Sequence, residues 1–149
     1  MRLYVDTSAL VKLYVEEGGS PLVRRAVDQA RLVATSAIAY VEARAAFVRR
    51  RHERGISVGD YRRIVRDLDA DWSRYFVLGV TDSLIRKGAR LAEAHRLRAY
   101  DAVHLASAAV LQGRLAQPVV FACWDLRLEK AAKREGLGLL RPPRVIPAH

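Results

Sequence analysis

Cysteine, acidic residues and long apolar runs are all scarce in this 149-residue chain. The single thiol, Cys123, has no second one to pair with, so an internal disulfide is excluded and a reducing compartment is expected. No His-Cys spacing of the kind that holds zinc is present. A G-x-S-x-G elbow is missing, which disfavours a Ser-His-Asp hydrolase, and so is a glycine-rich phosphate loop. No stretch reaches the roughly 18 uninterrupted apolar residues that a membrane span needs. Arg2 ahead of apolar residues has the outline of a leader, but Asp6, Lys12, Glu16 and Glu17 break it. A cytoplasmic protein without a membrane partner is therefore expected. The shortage of acids is relative: 16 Asp and Glu stand against 26 Lys and Arg, a net charge of +10. Such a surface favours polyanions, because neutralised phosphates release their condensed counterions.

What is present is half apolar, 51%, at a length that buries a substantial core. No linker, repeat or low-complexity tract interrupts it, so one domain over residues 1–149 is expected. Short β-rich runs at Leu3–Val5, Leu32–Ala34, Phe76–Val80, Val119–Ala122 and Leu137–Leu140 alternate with longer helical patterns. That alternation predicts an α/β sandwich: a short, mostly parallel five-stranded sheet flanked by about seven helices. Ser20-Pro21 has the form of a cap followed by proline in the first turn, Ser57-x-x-Asp60 that of a capping box, and Asp82 that of a further cap.

Four acids stand out against this pattern. Asp6 ends the first strand and Asp125 follows the fourth, the place where open parallel sheets build their sites. Each also fits a helix N-cap. Glu42 lies in SAIAYVEARAAFVRRR, where Ile38, Val41, Ala45 and Val48 recur at helical spacing and are expected to form the buried stripe. Glu42 borders that stripe, either solvated and paired with Arg49 or held by a partner or metal. Asp101 opens a helix that is apolar or small almost all round, so the helix is expected to be central and the acid to sit in its first turn. Carboxylates converging on one low-dielectric pocket repel, so their pKa values rise or a cation fills the pocket. Oxygen-only donors suit a hard divalent ion, and such an ion serves in-line phosphoryl displacement. Setting the four aside leaves 12 acids against 26 bases, a net +14. An acidic pocket in so basic a body suits a phosphate backbone.

The blocks YVDTSALVKLYVEE, TSAIAYVEARAA, LRAYDAVHLASA and FACWDLRLEKAAKREGL resemble, in order and spacing, the PIN domain, specifically the small VapC-type toxin ribonucleases. The resemblance covers nearly the whole chain. It implies a PIN-like fold and Mg²⁺- or Mn²⁺-dependent hydrolysis of RNA phosphodiester bonds by water that the metal activates. Asp6, Glu42, Asp101 and Asp125 match the catalytic acids. Asp6 and Asp101 are the implied direct ligands, with Glu42 and Asp125 acting directly or through water. Thr7 or Ser8 matches a supporting hydroxyl. The resemblance further implies a homodimer and a small antitoxin whose tail blocks the cleft. Alternatives are a PIN nuclease of RNA processing or DNA metabolism without an antitoxin, and a non-catalytic PIN binding module; the latter is disfavoured by intact acids at all four positions. A phosphotransfer enzyme with Asp6 as nucleophile would carry Asp-x-Asp, and Ser8 fills the second place. Many relatives carry Thr or Ser where this chain has Cys123, which is expected to be a small buried hydrophobe rather than a ligand.

Other residues read more plainly. His104, one turn after Asp101, is expected to pack or hydrogen-bond within its helix, and His52, His95 and His149 to lie on the surface. Tyr40 and Tyr100 are near site acids and could stack on bases, with core packing preferred. Arg44, Arg49, Arg50 and Arg51 follow Glu42 as either a solvated helix end or a guide for RNA.

Overall fold

The computed structural model describes residues 1–141. Its elements are β1 (Arg2–Val5), α1 (Thr7–Lys12), α2 (Ser20–Gln29), β2 (Leu32–Ser36), α3 (Ile38–Arg54), α4 (Val58–Trp72), β3 (Phe76–Leu78), α5 (Asp82–His95), α6 (Ala99–Leu115), β4 (Val120–Ala122), α7 (Leu126–Arg134) and β5 (Gly138–Leu139). The five strands and seven helices agree with the sequence expectation, and every strand pairing is parallel. β2 runs two residues beyond the expected end, whereas β3, β4 and β5 are shorter than expected. The surface position expected for His149 lies outside the described residues, as does the rest of the chain beyond 141.

Strand order is β3-β2-β1-β4-β5. β1 therefore has β2 on one side and β4 on the other, with Tyr4 level with Ala34 and with Phe121. Strand order reverses between β1 and β4, which is the crevice where ligands bind in open parallel sheets. Alternation along β1 divides the core. Leu3 and Val5 pack with Leu10, Val23, Phe47 and Leu68 from α1–α4, while Tyr4 packs with Leu91, Leu105, Leu111 and Leu128 from α5–α7. Helices thus cover both faces, as a buried parallel sheet requires.

Three local expectations are corrected. α3 does not bury Ile38, Val41, Ala45 and Val48: its buried residues are Ala39, Ala43, Ala46 and Phe47, while Val41 is 65% and Val48 42% exposed. Small side chains let α3 approach its neighbours closely, so packing selected the alanine face over the more hydropathic valine face. Ser20 is not a cap. Gly19, at φ +91°, takes that place, and buried Ser20 accepts from the Glu17 N–H and donates to the Val15 carbonyl. Asp82 does not cap α5 either: Thr81 accepts from the Leu84 N–H, and Asp82 pairs with Arg86 one turn on. The Ser57 cap holds, with its hydroxyl accepting from the Asp60 N–H.

Candidate active site

Asp6 and Asp125 each follow one of the two strands that flank the reversal point, and both are N-caps as well as cleft residues. Asp6 Oδ1 accepts from the Ala9 N–H at 3.0 Å and from Ser8 Oγ at 2.7 Å. Asp125 Oδ1 accepts from the Leu128 N–H at 2.8 Å. Asp6 is only 4% exposed. Burial pushes its carboxyl above the usual range; charge on His104 and the hydrogen bonds from Ser8 and Ala9 oppose that, and Asp101 adds to it.

Rotation of α3 onto its alanine face brings Glu42 inward, because it lies three residues after Ala39 and four before Ala46. It does not pair with Arg49. Its Oε1 accepts from Thr7 Oγ1 at 2.7 Å and faces His104 Nε2 at 2.9 Å. Burial raises its pKa, but the hydrogen bonds from His104 and Thr7, with charge on His104, outweigh burial and leave the carboxyl below its usual range. The expected supporting hydroxyls therefore divide: Ser8 serves Asp6, and Thr7 serves Glu42.

His104 is buried on α6 and reaches further than its own helix. Nδ1 lies 2.8 Å from the hydroxyl of fully buried Tyr4. Burial holds that phenol well above its usual pKa, and Nε2 on the other side of the ring faces both Glu42 Oε1 at 2.9 Å and Thr7 Oγ1 at 3.1 Å. Asp101 sits in the first turn of α6, and its Oδ2 accepts from Arg98 Nε at 3.3 Å. Arg98 also approaches Asp125 Oδ2 at 3.7 Å.

One cleft of about 470 Å³ gathers all four acids together with Thr7, Ser8 and His104. Arg49, Arg50 and Arg98 line it as well. Arg44 and Arg51 do not: Arg44 lies over the Tyr40 ring beside a separate cavity, and Arg51 lies over Tyr61. Cys123 is buried; burial pushes its thiol up to about 12, and Sγ–H points to the Asp125 carbonyl at 3.7 Å. Tyr100, expected in the core, is 62% exposed on the cleft wall. Tyr40 packs edge-on against Trp72, away from the cleft. His95 is half-buried rather than a surface residue, 2.8 Å from Glu135. Sequence reasoning passed over Arg98 and Trp124, although each stands within three residues of a site acid.

The donor set fits a hard divalent cation. Asp6, Glu42 and Asp101 each engage the protein through one carboxylate oxygen and keep the other without a hydrogen-bond partner among the described residues. No three Asp, Glu, His or Cys groups among the described residues form a ready-made cage. The fit is therefore one of donor chemistry, all oxygen, and is limited to an ion that keeps much of its water and takes only one or two carboxylates directly.

A parallel sheet in this order, with Asp6 and Asp125 just after two of its strands and Glu42 and Asp101 brought to the same cleft by helices, defines an acidic-cleft α/β fold. The chain belongs to the PIN domain family, whose sequence profile matches residues 3–117. It is 34% identical over 134 residues to Ribonuclease VapC45 of Mycobacterium tuberculosis (strain CDC 1551 / Oshkosh), covering 90% of this chain and 91% of that one. Ribonuclease VapC49 of strain H37Rv matches with the same identity and coverage. Among solved structures, FitAcB from Neisseria gonorrhoeae superimposes with a TM-score of 0.64 at 15% identity, covering 93% of this chain and 96% of that one. A toxin-antitoxin complex from Klebsiella pneumoniae gives a TM-score of 0.55 at 15% identity, with coverage of 80% and 84%.

Proposed function

We propose that this protein is a Mg²⁺- or Mn²⁺-dependent endoribonuclease and the toxin of a type II toxin–antitoxin pair. The observation that carries the reading is the convergence of Asp6, Glu42, Asp101 and Asp125 on one cleft at the β1/β4 reversal point. Two relatives named as ribonucleases, aligned over 90% of the chain, support the substrate class. Asp6 and Asp101 would hold the ion directly, and Glu42 and Asp125 directly or through water. A bound divalent ion supplies charge neutralisation at the scissile phosphate and a water of lowered pKa.

The remaining work belongs to the chain itself. Ser8 fixes the Asp6 carboxylate, and Thr7 with His104 fixes Glu42, so neither needs to reorganise during reaction. Arg49, Arg50 and Arg98 bring positive charge to the same cleft, where they would draw in and orient the RNA backbone. The reading includes a cytoplasmic location, in keeping with the lack, among the described residues, of any helix long and apolar enough to cross a membrane. It also includes a homodimer and a small antitoxin; the fold shared with a toxin-antitoxin complex supports the latter.

The test is cleavage of total bacterial RNA with Mg²⁺ or Mn²⁺, mapping new 5′ ends by sequencing. Discrete ends that vanish with EDTA and in Asp6→Asn are the expected result. Folded, antitoxin-free protein that produces no metal-dependent ends would overturn the proposal and favour a DNA substrate or a binding role.

A further inference from the structure

The residues that would hold metal and fix carboxylates leave two exposed aromatic side chains at the cleft unused, Tyr100 and Trp124, of which only Trp124 opens onto a second groove. Trp124, between β4 and Asp125, is 42% exposed. It lines the acidic cleft and also a second groove of about 540 Å³ that it shares with Gly19, Leu22 and Leu126. Its Nε1–H has no hydrogen-bond acceptor among the described residues. An indole kept only for stability would be expected to bury more of its surface and to pair that donor.

The main chain that carries the ring is anchored. The Trp124 backbone N–H donates to Ser8 Oγ at 3.1 Å, and the same hydroxyl donates to Asp6 Oδ1 at 2.7 Å. The Trp124 main chain and the most buried site carboxylate thus share one anchor. The Lys12 ammonium lies 4.8 Å from the ring centroid. Gly19, at φ +91°, leaves room for the ring: a Cβ there would come within 2.5 Å of Trp124 Cζ2. A partly exposed aromatic beside an acidic cleft that also carries Arg49, Arg50 and Arg98 has the chemistry of a base-stacking site.

We propose that Trp124 is the stacking platform for a nucleobase adjacent to the scissile phosphate, and so a positioning residue for the nucleotide beside the cleaved bond. The assignment rests on the ribonuclease reading of the cleft. Trp124 contributes binding and register and takes no part in bond breaking.

Two measurements separate this inference from that reading. The first does not require cleavage: the emission of Trp124 in an Asp6→Asn, Trp72→Phe protein, titrated with oligo(A) of ten nucleotides and with its abasic counterpart. Trp72 is the other tryptophan of the chain. Quenching by oligo(A) and none by the abasic decamer is expected, and the absence of quenching by oligo(A) would overturn the platform. The second uses a ten-nucleotide RNA spanning a mapped cleavage site. Trp124→Ala should raise KM roughly tenfold to a hundredfold with kcat nearly unchanged, and Trp124→Phe should recover most of the loss. An abasic ribose beside the scissile phosphate should cost the wild type the same factor and cost Trp124→Ala nothing further. A fall in kcat at unchanged KM, or costs that multiply, would make Trp124 a structural or protein-docking residue and overturn the proposal. Quenching without any cleavage by the wild type would sink the nuclease reading and overturn the placement beside a scissile phosphate, leaving Trp124 a base-binding residue only.

Discussion

Asp6 shows how one side chain serves folding and chemistry together. Its Oδ1 caps α1 and accepts from Ser8, while its other oxygen stays unpaired in the cleft. Asparagine presents the same acceptor oxygen and caps a helix as well as aspartate does. Asp6→Asn should therefore keep the fold, and it should raise the melting temperature of metal-free protein slightly, because burial penalises the charge it removes. Cleavage should fall by about a hundredfold or more. Thermal melting and RNA cleavage on the same preparation check both halves; an unfolded variant would show that the fold needs the Asp6 charge itself, against the expectation from its burial. The Tyr4–His104 pair makes a complementary case. His104→Phe takes the Nδ1 partner from the buried Tyr4 hydroxyl and should cost about 1–3 kcal/mol, and adding Tyr4→Phe should restore part of that loss. Urea denaturation of both variants measures the recovery.

At the scale of elements, α3 decides whether Glu42 belongs to the site, and the direction in which it is turned is testable. Val41→Lys on the outward face should change stability by no more than about 0.5 kcal/mol, whereas Ala43→Leu overpacks the inward face and should cost about 1–3 kcal/mol. The ranking reverses if the valines face the core. This is also where reading from the sequence met its limit. Strand positions and the acids at their ends follow from local pattern, since Asp6 and Asp125 interrupt apolar runs. The face of α3 does not, because hydropathy weights valine above alanine while close packing against neighbours chooses the smaller residue. Arg98 and Trp124 escaped notice because only the folded chain brings them into one cleft. A second contact fixes α3 relative to the loop after α1. Glu17, 7% exposed, accepts from Lys12 Nζ at 3.0 Å, Arg50 Nε at 3.0 Å and Arg54 at 3.3 Å. Burial raises its pKa, but the hydrogen bonds from Arg50 and Lys12 and their charges outweigh that and hold the carboxyl below its ordinary 4.5. A depressed folded pKa adds stability above the ordinary value, and that stability is lost as pH falls through the depressed one. Glu17→Gln should lower stability at pH 7 by about 1–3 kcal/mol and flatten the decline below pH 4.5, read by urea midpoints across pH.

For the whole molecule, the relevant contrast is between a net charge of +10 and a cleft that collects four carboxylates. Uniform positive charge would attract RNA to every face equally, so affinity alone cannot locate the working surface. Salt dependence can, because each phosphate neutralised by a bound cation releases counterions and steepens the fall of log K with log salt, by about 0.7 per contact on a single strand. In an Asp6→Asn background, which separates binding from cleavage, the slope should be negative and should become shallower by about that amount in Arg49→Ala, whose side chain lines the cleft. Arg66→Ala removes the same charge from a separate cavity lined mainly by α4 and should leave the slope unchanged. Equal effects from both substitutions would mean that the basic surface acts as a diffuse attractor and that the cleft arginines do not track the backbone. A loss confined to Arg49→Ala would mean that the arginines of the cleft wall hold the strand against the acids that act on it, with the remaining charge serving encounter rather than grip.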